Sequence, residues 1–197
     1  MPKISDERKA ERREQILAGA RRCFAELGYE GATVAKLERE IGLSRGAIFN
    51  YFGSKEDLFV ELAGRDAARM SNVFLEQGVE GVLRDIVELD PDWLSVYLEL
   101  FRRARTDSAF RRKIDETQQA RAVDANRAHI AELQGAGELR GDLEPKDVGV
   151  FLGLVLDGLA LRRAAGDELP RVELVLSLLE DAIGGRAPTG RPARRRA

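Results

Sequence analysis

A single cysteine among 197 residues closes off any intramolecular disulfide, and a single histidine with no neighbouring cysteine or metal-spaced partner leaves nothing from which to build a zinc site. There is no glycine-rich phosphate loop either, so the sequence offers an enzyme little, and no catalytic or metal-binding residue is assigned. Aromatic residues are scarce at 6%, and the six prolines sit mostly at segment edges, while leucine, alanine, glutamate and arginine abound. That balance argues against sheets and predicts an all-α protein. No apolar run long enough to span a membrane interrupts the charges, and Met1 to Arg13 lacks the apolar stretch of a signal peptide. A soluble cytoplasmic protein without membrane contact is expected.

The charges that are present are unevenly placed. Residues 1–55 carry 11 Lys/Arg against 8 Asp/Glu, whereas residues 56–185 carry 16 against 26. Five further arginines fall in a Gly/Pro/Arg tail, residues 186–197, which cannot pack a core and is expected to be disordered. A basic head on an acidic body points to a polyanion partner for the head.

Apolar residues recur at three- and four-residue steps from Ile16 to Leu27, with Cys23 among them, which predicts an amphipathic helix from Ser5 that Gly28 stops. Thr33 can cap a second helix running to Ile41, Ser44 a third over Arg45 to Tyr51, and Ser54 with Asp57 a fourth. Further helices are predicted at about 79–89, 91–105, 107–134, 145–165 and 168–183, with Pro91 and Pro145 at first helical positions and loops at Gly135–Gly141 and Gly166–Leu169. This divides the chain into a three-helix head (1–53), a helical body (54–185) and the basic tail (186–197).

Across Gly42-Leu43-Ser44 two short helices meet, and Leu37, Ile41, Leu43 and Ile48 can close the angle between them, which is the anatomy of a helix-turn-helix. In such a unit the second helix puts its N-terminal residues at base edges in the major groove, here Arg45, Gly46, Ala47 and Asn50. Arg45 is the foremost base-contact candidate, because arginine bonds guanine in a bidentate manner. Thr33, Lys36, Ser44, Phe49, Tyr51 and Lys55 complete the expected DNA-facing set.

The positions Gly42, Leu43, Ser44, Gly46, Ile48, Phe49, Tyr51, Phe52 and Lys55 match a run of fixed residues that resembles the TetR family of transcriptional repressors, and the resemblance covers about residues 12–64. It implies a dimeric regulator on a palindromic double-stranded operator, released by a small-molecule effector. Two places depart from the family pattern: Glu38 stands where alanine is usual, and Phe49 and Tyr51 where tyrosine and histidine are usual. Phe49 cannot donate a phosphate hydrogen bond, so that contact is lost or moves to Tyr51. Over Ala18 to Met70, with Arg21-Arg22-Cys23-Phe24-Ala25-Glu26, Ser44-Arg45-Gly46-Ala47-Ile48-Phe49 and Asp66-Ala67-Ala68-Arg69-Met70, the chain also resembles the aconitase-repressor branch of the family. That likeness implies control of aconitase or related central-metabolism genes, and a tricarboxylate effector such as citrate, with Mg²⁺ as its companion ion. No cofactor is required.

In the body, the helices at 145–165 and 168–183 carry more apolar surface than one small body needs, and a four-helix bundle between two copies accounts for the surplus. Gly149, Leu152, Gly153, Leu156, Val172, Val175, Leu176 and Leu179 form the expected dimer interface. Polar residues beside apolar faces, namely Glu99, Arg103, Asn126, Arg127, His129, Asp157 and Arg162, make the pool from which an effector site would draw. Two rival readings remain: a helical protein-interaction adaptor without DNA binding, and a TetR-type regulator of an efflux or catabolic gene with an apolar effector.

Overall fold

Helices form wherever the three- and four-residue apolar spacing persists: the computed structural model, which describes residues 6–116 and 118–185, contains α1 (Asp6–Gly31), α2 (Val34–Ile41), α3 (Arg45–Phe49), α4 (Lys55–Glu88), α5 (Pro91–Thr106), α6 (Ser108–Asp115), α7 (Gln118–Gly135), α8 (Pro145–Ala164) and α9 (Val172–Ile183). Among the described residues there is no strand, only one isolated bridge between Leu139 and Gly184, and the all-α expectation holds. The tail at 186–197 lies outside the described residues.

The capping residues do what their chemistry suggests. Ser44 Oγ accepts from the N–H of Ala47, Ser54 Oγ accepts from Asp57, and the Asp90 side chain accepts from Asp92 just ahead of Pro91 at the start of α5. Thr33 occupies the N-cap position of α2, but its hydroxyl caps nothing. Four boundaries differ from the sequence reading. α1 runs past Gly28, which bends it at φ 67, and α4 is a single element whose expected break reduces to a kink at Gly78 (φ 66). The expected helix at 107–134 is two, α6 and α7. α9 begins at Val172 instead of 168 because Pro170 keeps Leu169 out of helical conformation.

Two cores result. One joins Ile16, Ala20, Phe24, Leu37, Ile48 and Phe52 of the head to Leu58, Phe59 and Leu62 of α4, and extends to Trp93, Leu100 and Phe110 of the body. The other packs Phe74, Val82, Leu83 and Ile86 of α4 with Ile130, Val148, Leu152, Val175, Leu179 and Ile183. The first turns of α4 thus belong to the head core, so this helix crosses the expected division at 53/54 and connects head to body. α1 also packs along α5, a second mechanical link.

A reading helix and a cavity as candidate functional sites

The two helices of the turn motif are locked by apolar side chains and by one conformational requirement. Leu37, Ile41 and Ile48 are buried. Gly42 adopts φ 75 and returns its N–H to the Glu38 carbonyl at 2.9 Å, a left-handed cap that a side chain would strain. Against this pair, α1 comes close enough that a Cβ on Gly19 would stand 2.8 Å from Ile41 Cγ1, a contact that spacing alone did not reveal. Cys23 lies in the same core, and burial pushes its thiol pKa up, which suits packing over reactivity.

What this packing leaves outward is Thr33, Lys36, Ser44, Arg45, Gly46 and Asn50, all exposed, with Ala47 half-buried among them. Lys36 Nζ donates to the Gly31 carbonyl at 3.1 Å. Phe49 and Tyr51 are half-buried and packed against the head core. Lys55 is also held inward: its Nζ donates to the Tyr29 carbonyl at 2.7 Å and stands 4.1 Å above the Tyr29 ring, and burial lowers its pKa. A basic flank missed by the motif lies beside this face. Arg8, Arg12 and Gln15 of α1, with Glu11 between them, line a groove with Tyr51, and Arg13 donates to the Tyr51 carbonyl while stacking on Phe52.

Glu38, one of the two departures from the family pattern, has a visible task. Its Oε1 accepts the backbone N–H of Arg45 at 2.5 Å, satisfying a donor at the start of the reading helix that would otherwise be orphaned. Glu38→Ala should therefore lower head stability by about 0.5–2 kcal/mol, as loss of a helix cap does. Urea unfolding of the two proteins measures it, and an unchanged midpoint would show that water replaces the bond.

In the body, α4, α5, α7 and α8 enclose a cavity of about 330 Å³, within the range of small-molecule sites. Its wall is mainly apolar, with Met70, Phe74, Val82, Ile86, Leu94, Ile130, Leu152 and Leu156, and its polar groups are Asp66, Arg69, Ser71, Asn126, Asp157 and the Trp93 indole. Ser71 donates to Asn126 Oδ1 at 2.6 Å, and Arg69 is paired with Asp85 at 2.6 Å. Asp157, exposed on the open side of the cavity, has no hydrogen bond or ion pair among the described residues, and desolvation by its surroundings shifts its pKa upward.

Of the expected effector pool, only Asn126 and Asp157 line this cavity. Arg103 is instead a junction residue, bonded to Glu56 at 2.8 Å and stacked on Tyr29 and Phe110. Glu99 pairs with Arg102, Arg127 with Asp124 and Arg162 with Asp167, while His129 packs edge-on against Phe74 beside Glu132. Local ion pairs satisfied these charges, and a one-dimensional pattern cannot distinguish a paired charge from one aimed at a ligand.

The expected dimer residues are largely committed within the single chain. Leu152, Val175 and Leu179 are buried in the body's own core, Gly149, Gly153 and Leu156 line the cavity, and Val172 and Leu176 are half-buried against the core. α8 is apolar on two faces, and the spacing selected the inner one. The outer face carries Val150 and Leu154 (69% exposed) on α8 with Leu174 and Leu178 (60% exposed) on α9, while Leu161, also exposed, stands on the cavity wall.

Comparison with known proteins agrees with this arrangement. Residues 16–62 match the sequence family described as bacterial regulatory proteins, tetR family, and residues 75–187 match the family described as BetI-type transcriptional repressor, C-terminal. The HTH-type transcriptional repressor AcnR of Corynebacterium diphtheriae is 42% identical over 96% of this chain and 100% of its own length. AcnR of Corynebacterium glutamicum is 46% identical over 88% of this chain and 93% of its own. Among solved structures, Salmonella enterica GusR superposes with a TM-score of 0.72 at 19% identity, covering 91% of this chain and 97% of that one, a likeness of fold.

Proposed function

Because the chain belongs to the TetR family of transcriptional regulators and is not an enzyme, we propose that it is a cytoplasmic homodimeric repressor whose two heads hold a palindromic operator until a small molecule fills the body cavity. The observation that carries this reading is the exposed start of α3, where Arg45, Gly46 and Asn50 stand clear on a helix whose other side is locked into the head core. Ala47 lies beside them at the base edges, and Thr33, Lys36, Ser44 and Tyr51 flank them as backbone contacts, whereas Lys55 supports the head from within through Tyr29. Division into a head, a body and a tail at 53/54 and 185/186 fits this reading if α4 is taken as shared. The outer face of α8 and α9 is the surface a second copy would cover. No described helix is long and apolar enough to cross a membrane, which suits work on chromosomal DNA.

The target genes and effector follow from the aconitase-repressor likeness and the relatives named AcnR. We place aconitase or related central-metabolism genes under this regulator, with citrate as its effector. Citrate brings three negative charges to a cavity whose acidic groups are Asp66 and Asp157 and whose cation, Arg69, is shared with Asp85. Mg²⁺ removes the conflict. It is commonly held by one or two protein carboxylates together with ligand oxygens, a role open to Asp157, with Asn126 and Arg69 to meet the remaining carboxylates. A specific observation favours a second reading: the wall is mostly aliphatic and aromatic, which suits an apolar effector.

Calorimetric titration with citrate, with and without Mg²⁺ and operator duplex, tests the proposal. Binding that requires Mg²⁺ and weakens by about 5–150-fold on operator supports it, since linkage is reciprocal. No binding in any condition removes citrate in favour of the apolar ligand, and equal binding with and without operator removes induction.

Gly153 supplies a direct probe of the cavity. A Cβ there meets nothing within 4 Å, so the leucine of Gly153→Leu would project into open space on the cavity wall. Citrate binding in the presence of Mg²⁺ should weaken more than about tenfold, about 1.4 kcal/mol, while sedimentation still shows a dimer. Unchanged affinity would put the ligand elsewhere.

A further inference from the structure

One carboxylate belongs both to the cavity and to the head. Asp66, on α4 and 8% exposed, receives Nη1 of Arg21 from α1 on both oxygens at 2.8 Å, and its Oδ2 also accepts the indole N–H of Trp93 from α5 at 2.6 Å. The Arg21 guanidinium lies 4.2 Å above the Trp93 ring, so the cation is clamped between a carboxylate and an aromatic face. Three helices are thereby tied at one point. Asp66 and Trp93 line the cavity, whereas Arg21 belongs to the helix that carries the head core.

The other ion pairs between α1 and α4, Arg13 with Glu61 and Glu14 with Arg65, have no member on the cavity wall. Neither do Arg103 and Lys113, which hold Glu56 and Asp57 on the far side of the junction. Among the described residues, the Asp66 cluster is therefore the polar contact through which a change inside the cavity reaches α1 without passing through the apolar core.

We propose that Asp66 is a positioning residue that converts cavity occupancy into head placement, acting through Arg21. This rests on the reading of the cavity as the effector site. A hydroxyl or cation arriving in the cavity competes with Arg21 and Trp93 for the Asp66 oxygens. Arg21, whose side chain is one-third exposed, turns toward solvent once its carboxylate is taken, so the tie between α1 and α4 is released, α1 shifts and the two heads lose their spacing on the operator. By linkage, holding the heads on DNA must in turn change how tightly Asp66 grips Arg21 and Trp93.

That reciprocal effect can be read without any effector, because Trp93 is the sole tryptophan of the chain and its indole is part of the cluster. The experiment titrates a fluorescently labelled operator duplex, selected from random sequence by the wild-type protein, into the full chain. It follows duplex anisotropy and Trp93 emission together. In the wild type, Trp93 emission changes with the same midpoint as anisotropy. In Arg21→Gln the duplex still binds, but the emission change is lost. Asp66→Asn, which keeps the size and removes the charge, is expected to do the same and serves if the Arg21 variant does not fold. Wild-type emission that ignores the operator overturns the proposal, as does an emission change that persists undiminished in the variants. Failure of citrate to bind would instead count against the effector reading, and the operator titration is independent of it.

Discussion

Leu154→Glu should yield a monomeric protein whose operator affinity falls by on the order of 10²–10⁴-fold, since linking two heads raises the effective concentration of the second by about that much and the monomer forfeits it. The argument begins with exposure. Leu154 and Leu178 are 69% and 60% exposed in the single chain, and Val150 and Leu174 are exposed on the same two helices, apolar side chains that a second copy would cover. In a twofold dimer the same patch serves both subunits, so one substitution introduces two carboxylates into one desolvated interface, at several kcal/mol for each ion. Leu154 takes no part in either buried core, so helicity and cooperative unfolding should survive. Sedimentation at micromolar concentration decides the matter: a dimer that persists there would locate the interface elsewhere.

Arg45→Ala should leave dimer and fold intact while removing about 1–3 kcal/mol of operator affinity per half-site, the typical worth of a bidentate arginine-to-guanine contact. Its side chain is exposed and makes no hydrogen bond or ion pair among the described residues, whereas its backbone N–H, the group that Glu38 binds, is retained by alanine. The loss should also be confined to sequence discrimination, with binding to unrelated duplex nearly unchanged. Equal affinity of both proteins for the cognate site would remove Arg45 from the reading surface.

The head was largely legible in the sequence because its constraints are local. Gly42 and Ser44 act on their immediate neighbours, and the apolar set from Ile16 to Ile48 has one inside and one outside. Long-range relations were not. The approach of α1 to α2 at Gly19 and the inward seat of Lys55 on Tyr29 depend on how separate helices meet. The body was harder for two further reasons. α8 is apolar on two sides, so periodicity found the helix but could not say which face packs within the chain, and cavity-lining charges cannot be told from charges neutralised one turn away, as Arg127 and Arg162 are. Asp66, Arg69 and Trp93 carry no local signal of the cavity, because only the meeting of α4 with α5 and α8 brings them to its wall. The boundary between α6 and α7 has neither glycine nor proline to mark it.

The most direct test of the account is a comparison of a selected palindromic duplex with a scrambled duplex of equal composition, each titrated with the full chain at several salt concentrations. The account predicts binding of paired chains to the palindrome at least about 10³-fold tighter than to the scrambled duplex, with both affinities falling as salt rises because phosphate contacts release counterions. Equal affinity for the two duplexes, or no binding to either at low salt, would contradict it and leave a helical adaptor as the function of this fold.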